Sequence, residues 1–423
     1  MKFSVILVSF ILAAAAAVNL RAQAGVAAVT FLELPASAEM YGMGYTSVAV
    51  ASEDPMYPYY NPAQLGMQSF QNNLSIGFNS SNWLENYFPG IKVSTFAANT
   101  GIDLRRFIKG IPHLSLGFGY SRLKIDFGKD NFYLPNNSES YDKTDNFTLS
   151  AALDYYLKAS LGFTYKHVYS KLGVERDLEG RIRELSAKTN LYDWGVFLEV
   201  PVFPILEQTT ARHIKIYNSI SPVFDLTFGF SKSNLGQDSI NYSFPEQGDP
   251  LPRVARTGIG LLAGFSYEAE GITLMPIKAK WSIESNDLLV KPKDPHGWEY
   301  QPGFGDINFF KEVILGKTNF ETEKLKGWEL NFLETISLYG GRFEEDMEMG
   351  NRHFNSNGWS IRTQGLVKVL RIISPEMFGS NALTYALSHL DFRYSISQTK
   401  TDNPSAPLNN VKFSTFNIMF NGF

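Results

Sequence analysis

The chain carries six histidines, His113, His167, His213, His296, His353 and His389, and histidine is the side chain best suited to hold a metal or move a proton near neutral pH. A metal site in sequence shows itself as such residues repeated at short intervals or interleaved with cysteine. No two of the six stand at that spacing, and cysteine is absent. The acidic run Glu344, Glu345, Asp346 and Glu348 has the residue type for calcium but not the spacing of a calcium loop, so it reads as a solvated connection. Gly42-Met43-Gly44 follows no strand of a βαβ unit and cannot cradle a dinucleotide, and no glycine loop ends on a phosphate-binding lysine. With a net charge of −4 and 19% charged residues there is no basic field for nucleic acid. The residues specify no catalytic centre, cofactor or metal site, and the expectation is a non-enzymatic protein.

The elements are more informative. Between Glu39 and Gln68 the sequence mixes Gly42, Gly44, Ala49 and Ala51 with Pro55, Pro58 and Pro62, so it can sustain neither a long strand nor a long helix. After it come short runs that alternate with period two. Leu74, Ile76 and Phe78 oppose Ser75, Gly77 and Asn79; Leu114, Leu116, Phe118 and Tyr120 oppose Ser115, Gly117, Gly119 and Ser121; Phe224, Leu226, Phe228 and Phe230 oppose Asp225, Thr227, Gly229 and Ser231. One face is greasy and the other small and polar, which predicts an all-β fold: a transmembrane antiparallel β-barrel of about 14 strands. A barrel that wide cannot be filled by its own side chains, so the Gly- and Pro-rich stretch is expected in the lumen as a plug, with a surface loop as the alternative.

The division that follows is a signal peptide over 1–24, a plug or hatch over 25–70 and a barrel over 71–423. Lys2, the apolar run Val5–Val18 and the small residues Ala22 and Ala24 predict export with cleavage after Ala24. The aromatic content of 14% suits girdles at two membrane interfaces. Residues 326–343 are expected to form two strands turning near Glu334-Thr335. Further strands are expected over 361–371 and 383–397, the latter with a bulge where the apolar phase slips between Leu387 and Leu390. Long connections then fall on one side and tight turns, at Tyr156-Leu157-Lys158 and Ala269-Glu270-Gly271, on the other; the 203–221 gap fits neither pattern. Leu104–Lys109 reads as a basic amphipathic turn near an interface, with a solvated connection as the alternative. The longest connection offers Phe309, Phe310, Val313 and Ile314 as a partner-binding surface, and Phe420 and Phe423 end the chain as an assembly signal.

Several stretches resemble the outer-membrane barrels of the PorV/PorQ kind, relatives of the FadL transporters. These are FLELPASAEMYGMG, VAVASEDP and YYNPAQLGM in the plug, where Asn61-Pro62-Ala63 joins Gly42, Met43 and Gly44 as the hatch motif. FSKSNLG, DPLPRVARTGIG, WSIESNDLLVKP, YGGRFEEDMEMGNRHF and PLNNVKFSTFNIMF follow in the same order. Two departures stand out: Glu39, where the family usually has a basic residue, and Glu284-Ser285, where an Asp is commoner. The resemblance implies a place in the outer membrane among lipid and lipopolysaccharide. It further implies a role in type IX secretion, with the translocon barrel and the C-terminal signal domains of cargo as partners. The alternative is a FadL-like passive transporter of hydrophobic small molecules such as long-chain fatty acids, which needs an apolar pocket and a wall opening beside the plug.

Overall fold

The computed structural model describes residues 27–71, 74–85, 87–108, 112–129, 139–176, 182–211, 213–242, 248–293, 297–317, 319, 321–345, 351–377 and 382–422. Ala22, Ala24, His296, Asp346, Glu348 and Phe423 lie outside these residues.

Fourteen antiparallel strands close into one barrel. They are β1 (Leu74–Asn82), β2 (Lys92–Asp103), β3 (His113–Lys129), β4 (Glu139–Tyr155), β5 (Leu157–Arg176), β6 (Ile182–Pro201), β7 (Ile220–Gly236), β8 (Val254–Ala269), β9 (Ile272–Leu288), β10 (Glu323–Phe332), β11 (Ile336–Glu344), β12 (His353–Arg362), β13 (Leu390–Lys400) and β14 (Lys412–Phe420). Each pairs with its neighbours in sequence, and β1 closes the ring by pairing with β2 at Leu74↔Thr100 and with β14 at Leu74↔Phe420. Closure leaves every interior ladder paired, which is what lets strands cross a bilayer.

Alternation sets what faces where. In β1, Leu74 and Phe78 are each 46% exposed while Ser75 is at 0% and Asn79 at 6%. The same holds around the ring, with Phe147, Leu149, Leu161, Phe163, Trp281, Trp328 and Trp359 outward. So continuous an apolar exterior on a closed barrel is a lipid-facing surface. Among the described residues no helix is long and apolar enough to cross a membrane; the crossing is made by strands.

The turns follow local chemistry. Glu270 and Gly271 both have positive φ, 51° and 69°, the geometry that matches a two-residue hairpin to strand twist. Leu333 and Glu334 likewise turn the chain between β10 and β11, as their spacing predicts. These tight connections share one end of the barrel with both termini of the strand array, here the turn end. The opposite, loop end carries the long β7–β8 and β9–β10 connections.

Two expectations are corrected at the turn end, and the 203–221 gap is accounted for. The strand expected over 361–371 is instead β12, ending at Arg362, followed by a helix over Thr363–Ile373. Leu366, Leu370 and Ile373 recur at helical intervals and lie on one exposed face, a period that a two-residue reading of VKVLRII overlooks. The phase slip between Leu387 and Leu390 is not a bulge: a second helix, Ala382–His389, ends there and β13 begins. The long 203–221 gap holds a third, Val202–Thr210. Their outward Leu206, Leu366, Leu370, Ile373 and Leu387 extend the apolar exterior at the turn-end rim, where amphipathic helices lie in a membrane interface.

Candidate functional site

The plug occupies the lumen. Two short helices, Ala38–Gly42 and Gln64–Gln68, are joined by largely irregular chain, and Tyr41 and Leu65 of the helices and Met43 and Tyr57 between them are fully buried. Ser37 caps the first helix, its Oγ accepting from the Met40 N–H at 3.3 Å.

The hatch motif residues are those that fasten plug to plug and plug to wall. Asn61 Nδ2 donates to the Val48 carbonyl at 3.0 Å and to the Val196 carbonyl of β6 at 3.1 Å, while its Oδ1 accepts from Ala63 N at 3.1 Å. One asparagine thus ties two plug segments to the wall and starts the second helix. Pro62 and Ala63 lie so close to β5 that a Cβ on Gly162 would fall 2.2 Å from the Pro62 carbonyl carbon. Gly44 has φ +66° and its N–H donates to Ser356 Oγ of β12 at 2.9 Å, while that hydroxyl donates to the Gly42 carbonyl at 2.9 Å. Met43, between them, packs its sulfur 3.9 Å from the Tyr57 hydroxyl.

Two wall residues matter as much and went unrecognised in the sequence. Glu284 of β9 accepts from three successive plug amides, Ser47 N at 3.0 Å, Val48 N at 3.1 Å and Ala49 N at 2.9 Å, and from Ser282 Oγ at 3.0 Å. The plug backbone is folded into a nest around that carboxylate. Arg393 of β13 reaches Glu39 Oε2 at 2.6 Å and the Tyr339 hydroxyl at 2.9 Å, and Ser52 Oγ donates to Glu39 Oε1 at 2.8 Å. Glu39 and Glu284 are therefore plug anchors. Close approach completes the fit: a Cβ on Gly229 of β7 would lie 1.9 Å from the Val48 carbonyl oxygen. Gly229→Val is expected to push the plug off β7 and cost about 3 kcal/mol by overpacking, read as a lowered thermal midpoint for plug release and new protease cleavage within 45–52.

Buried charge in the plug also makes it pH-sensitive. Burial works against ionisation of Glu53, but the Arg362, Lys278, Arg393 and Lys280 cations outweigh it and hold this carboxyl at about 2. Asp54 goes the other way: burial, then the neighbouring Glu39 carboxylate, push it from 3.8 up to about 6. A carboxyl whose pKa is raised on folding stabilises the folded state fully below its unfolded value and loses that contribution as pH rises through the folded value. Asp54→Asn is expected to remove the decline in plug stability between pH 4 and 6. At pH 7.5 it should stabilise by about 2 kcal/mol, since the Met56 N–H, which donates to Asp54 Oδ1 at 2.9 Å, keeps an acceptor. Thermal melts of both proteins across this range make the comparison.

Cavities flank the plug. At the loop end one of about 740 Å³ has apolar walls from Leu34, Tyr45, Trp83, Leu84, Pro407 and Leu408 and a polar margin that includes Glu33, Arg352, His353 and Asp402. Arg352 is already neutralised by Glu345 at 2.7 Å and Glu323 at 3.2 Å, so an occupant meets mainly apolar wall. At the turn end a cavity of about 400 Å³ is lined by Lys158, Glu199, Lys278, Glu329, Arg362 and Met67, a wet and charged vestibule. A third, of about 630 Å³, sits at the β1–β14 seam. There the ladder ends at Asn79↔Thr415, and Ser414 N bonds to Ser81 Oγ instead of to backbone. Phe413 lines this seam cavity and meets Trp83 of the outer cavity at 5.9 Å between rings.

No family model and no curated protein matches this sequence. Solved structures give loose overlaps. The toluene transporter TodX of Pseudomonas putida is 9% identical, with 92% of this chain and 98% of that chain covered at a TM-score of 0.40. A FadL homologue of Pseudomonas aeruginosa is 8% identical, with 92% and 99% covered at 0.38. The translocator domain of the autotransporter NalP from Neisseria meningitidis is 11% identical, with 84% and 89% covered at 0.36. The architecture of the present chain rests on its own strand ladders.

The remaining sequence candidates divide. Phe309 and Val313 turn inward, Phe309 onto Phe228 at 5.7 Å and Val313 to 1% exposure, whereas Phe310 and Ile314 are 64% and 47% exposed. The stretch 304–312 of the β9–β10 connection lies along the side of the barrel. It folds against the outer wall, where Phe304 packs on Phe230 at 4.6 Å and Glu312 accepts from Ser285 Oγ of β9 at 2.5 Å. Phe228 and Phe230 lie on the face of β7 opposite Thr227 and Gly229, which touch the plug, so this contact is on the exterior. His113 sits between Asp103 at 2.5 Å and Asp154 at 3.5 Å on the turn-end rim. Phe107 and Ile108 of the expected amphipathic turn are 74% and 51% exposed, while Lys109 is outside the described residues. Phe420 ends β14, paired with both Leu74 and Leu390.

Proposed function

We propose that this chain is a non-enzymatic outer-membrane channel that takes hydrophobic small molecules from outside, with the loop end facing outward. The observation that carries this reading is the apolar outer cavity, floored by Leu34 and Tyr45 of the plug and walled by Trp83, Leu84 and Leu408. Pockets of this size and lining suit a ligand of several apolar carbons. The seam cavity behind the Trp83–Phe413 contact marks the place where the wall would open in such a channel, and the plug bars a direct aqueous path through the lumen. The resemblance of the plug motif to relatives of the FadL transporters agrees with a hydrophobic cargo. In the test, purified protein is titrated with a long-chain fatty acid brominated near its tail, with tryptophan emission as the readout. Saturable quenching that weakens about tenfold in Trp83→Ala supports the reading; quenching that does not saturate, or is unchanged in the variant, removes it.

A role in type IX protein export is the second reading. It is favoured by Phe304, Phe310, Ile314 and Leu315 exposed on the external loop, and by the resemblance to PorV-like barrels. Co-purification of translocon or signal-bearing cargo from solubilised membranes, lost when Phe310 and Ile314 become serine, decides for it.

A further inference from the structure

Several exterior cations near the loop end have a carboxylate beside them. Arg122 pairs with Asp145 at 2.6 Å, Lys124 with Asp126 at 2.8 Å and Lys171 with Glu184 at 3.0 Å. Cations also stand opposite one another, as Lys124 and Lys143 do across β3 and β4 beside the Tyr141 and Tyr169 rings, and the β10–β11 hairpin gathers more of them. Lys326 is directly opposite Arg342 in the ladder, and Lys324 is two residues further along the same face. Among the described residues of these two strands the carboxylate on that face, Glu344, is taken by Arg342 at 2.6 Å, and Glu312 of the external loop is held by Ser285 and Thr322 at 2.5 and 2.7 Å. On this face of the two strands three cations thus stand with one carboxylate, and like charges directly opposite across two strands destabilise a sheet unless something neutralises them.

What stands next to the group says what that something is. Two residues toward the turn end on the same face is Trp328, paired across the ladder with Trp281; the two are 46% and 40% exposed on the exterior. Below them come Leu330, Leu338, Phe332 and Ile336. Apolar residues, then a tryptophan pair, then cations about 7 Å further out is the order of a bilayer's hydrocarbon, interface and phosphate layers. The external loop overhangs the group: the Lys324 ammonium donates to the Gly316 carbonyl, and the exposed Lys317 follows directly. The exposed Ile314 and Leu315 of the same loop offer apolar contact beside the charges.

We propose that Lys326 and Arg342, flanked by Lys324 and Lys317, form a site for the phosphate-bearing headgroup of an outer-leaflet glycolipid, its acyl chains lying over Trp281 and Trp328. The placement rests on the loop end facing outward, and not on what the channel carries. Arg342 presents the planar fork that grips phosphate, and the lysines add point charge.

The test uses full-length protein in neutral-detergent micelles, with diphosphoryl lipid A as probe and tryptophan emission as readout; dephosphorylated lipid A and inorganic phosphate are run in parallel. Diphosphoryl lipid A should bind at least tenfold more tightly than the dephosphorylated form, and Lys326→Gln/Arg342→Gln should erase that preference. Lys171→Gln, on the far side of the barrel, should leave it intact, and unchanged thermal midpoints show the variants are folded. Equal binding of the two lipids, or a preference that survives the double substitution, overturns the site. Inorganic phosphate competing as well as the lipid overturns the assignment to a headgroup. Capture of an acidic protein that depends on these cations, with lipid binding unaffected, overturns it in favour of a protein partner.

Discussion

Glu284→Ala is expected to release the plug from the barrel wall. The carboxylate accepts hydrogen bonds from Ser47 N, Val48 N and Ala49 N, and its removal leaves three buried amides with no acceptor. Each bare donor costs on the order of 1–3 kcal/mol, so a loss of about 4 kcal/mol in plug stability is expected once water has compensated part of it. Glu284→Gln keeps one acceptor oxygen but turns an N–H₂ toward the same amides, and should lose roughly half as much. In planar bilayers the wild type should conduct little, and Glu284→Ala should show frequent large openings, with Glu284→Gln between them. A closed, fully protected plug in Glu284→Ala would show that the nest is dispensable.

The second large effect concerns Arg393. It is buried and holds Glu39 Oε2 at 2.6 Å and the Tyr339 hydroxyl at 2.9 Å. Arg393→Met leaves the Glu39 carboxylate buried without its cation, and removing one partner of a buried pair costs about 3–5 kcal/mol. Removing both is far milder, because no charge is left stranded. Glu39→Gln/Arg393→Met is therefore expected to be more stable than Arg393→Met alone, with a coupling of about 2 kcal/mol in the double-mutant cycle. Denaturant titrations of plug release in the four proteins measure it; additive losses would place the two side chains in separate roles.

The barrel was largely written in the sequence because its signal is local. Ser75 and Phe78 reveal their faces within a few residues, and the turn between Phe332 and Ile336 follows from strand pairing alone. The three turn-end helices were harder: LVKVLRII is apolar enough to pass for a strand, and only the spacing of Leu366, Leu370 and Ile373 shows the helical period. The plug's place was legible as composition, but its fastenings were not. Glu284 and Glu39 looked like departures from a pattern because the groups that satisfy them, the amides of 47–49 and Arg393, are hundreds of residues away in sequence. The split of Phe309 and Val313 from Phe310 and Ile314 depends likewise on the loop folding down the outer wall, which no local pattern encodes.

The account turns on two faces of one wall, lipid outside and plug inside, and a nitroxide scan along β4 tests both at once. The chain has no cysteine, so single labels at Asn146, Phe147, Thr148, Leu149, Ser150, Ala151, Ala152 and Leu153 need no background removal. In liposomes, labels at 147, 149, 151 and 153 should collide with oxygen and not with a water-soluble nickel chelate. Those at 146, 148, 150 and 152 should be immobile and shielded from both, packed against the plug. Nickel access at the even positions would mean an open aqueous lumen, and loss of the two-residue alternation would mean that this strand does not cross a bilayer at all.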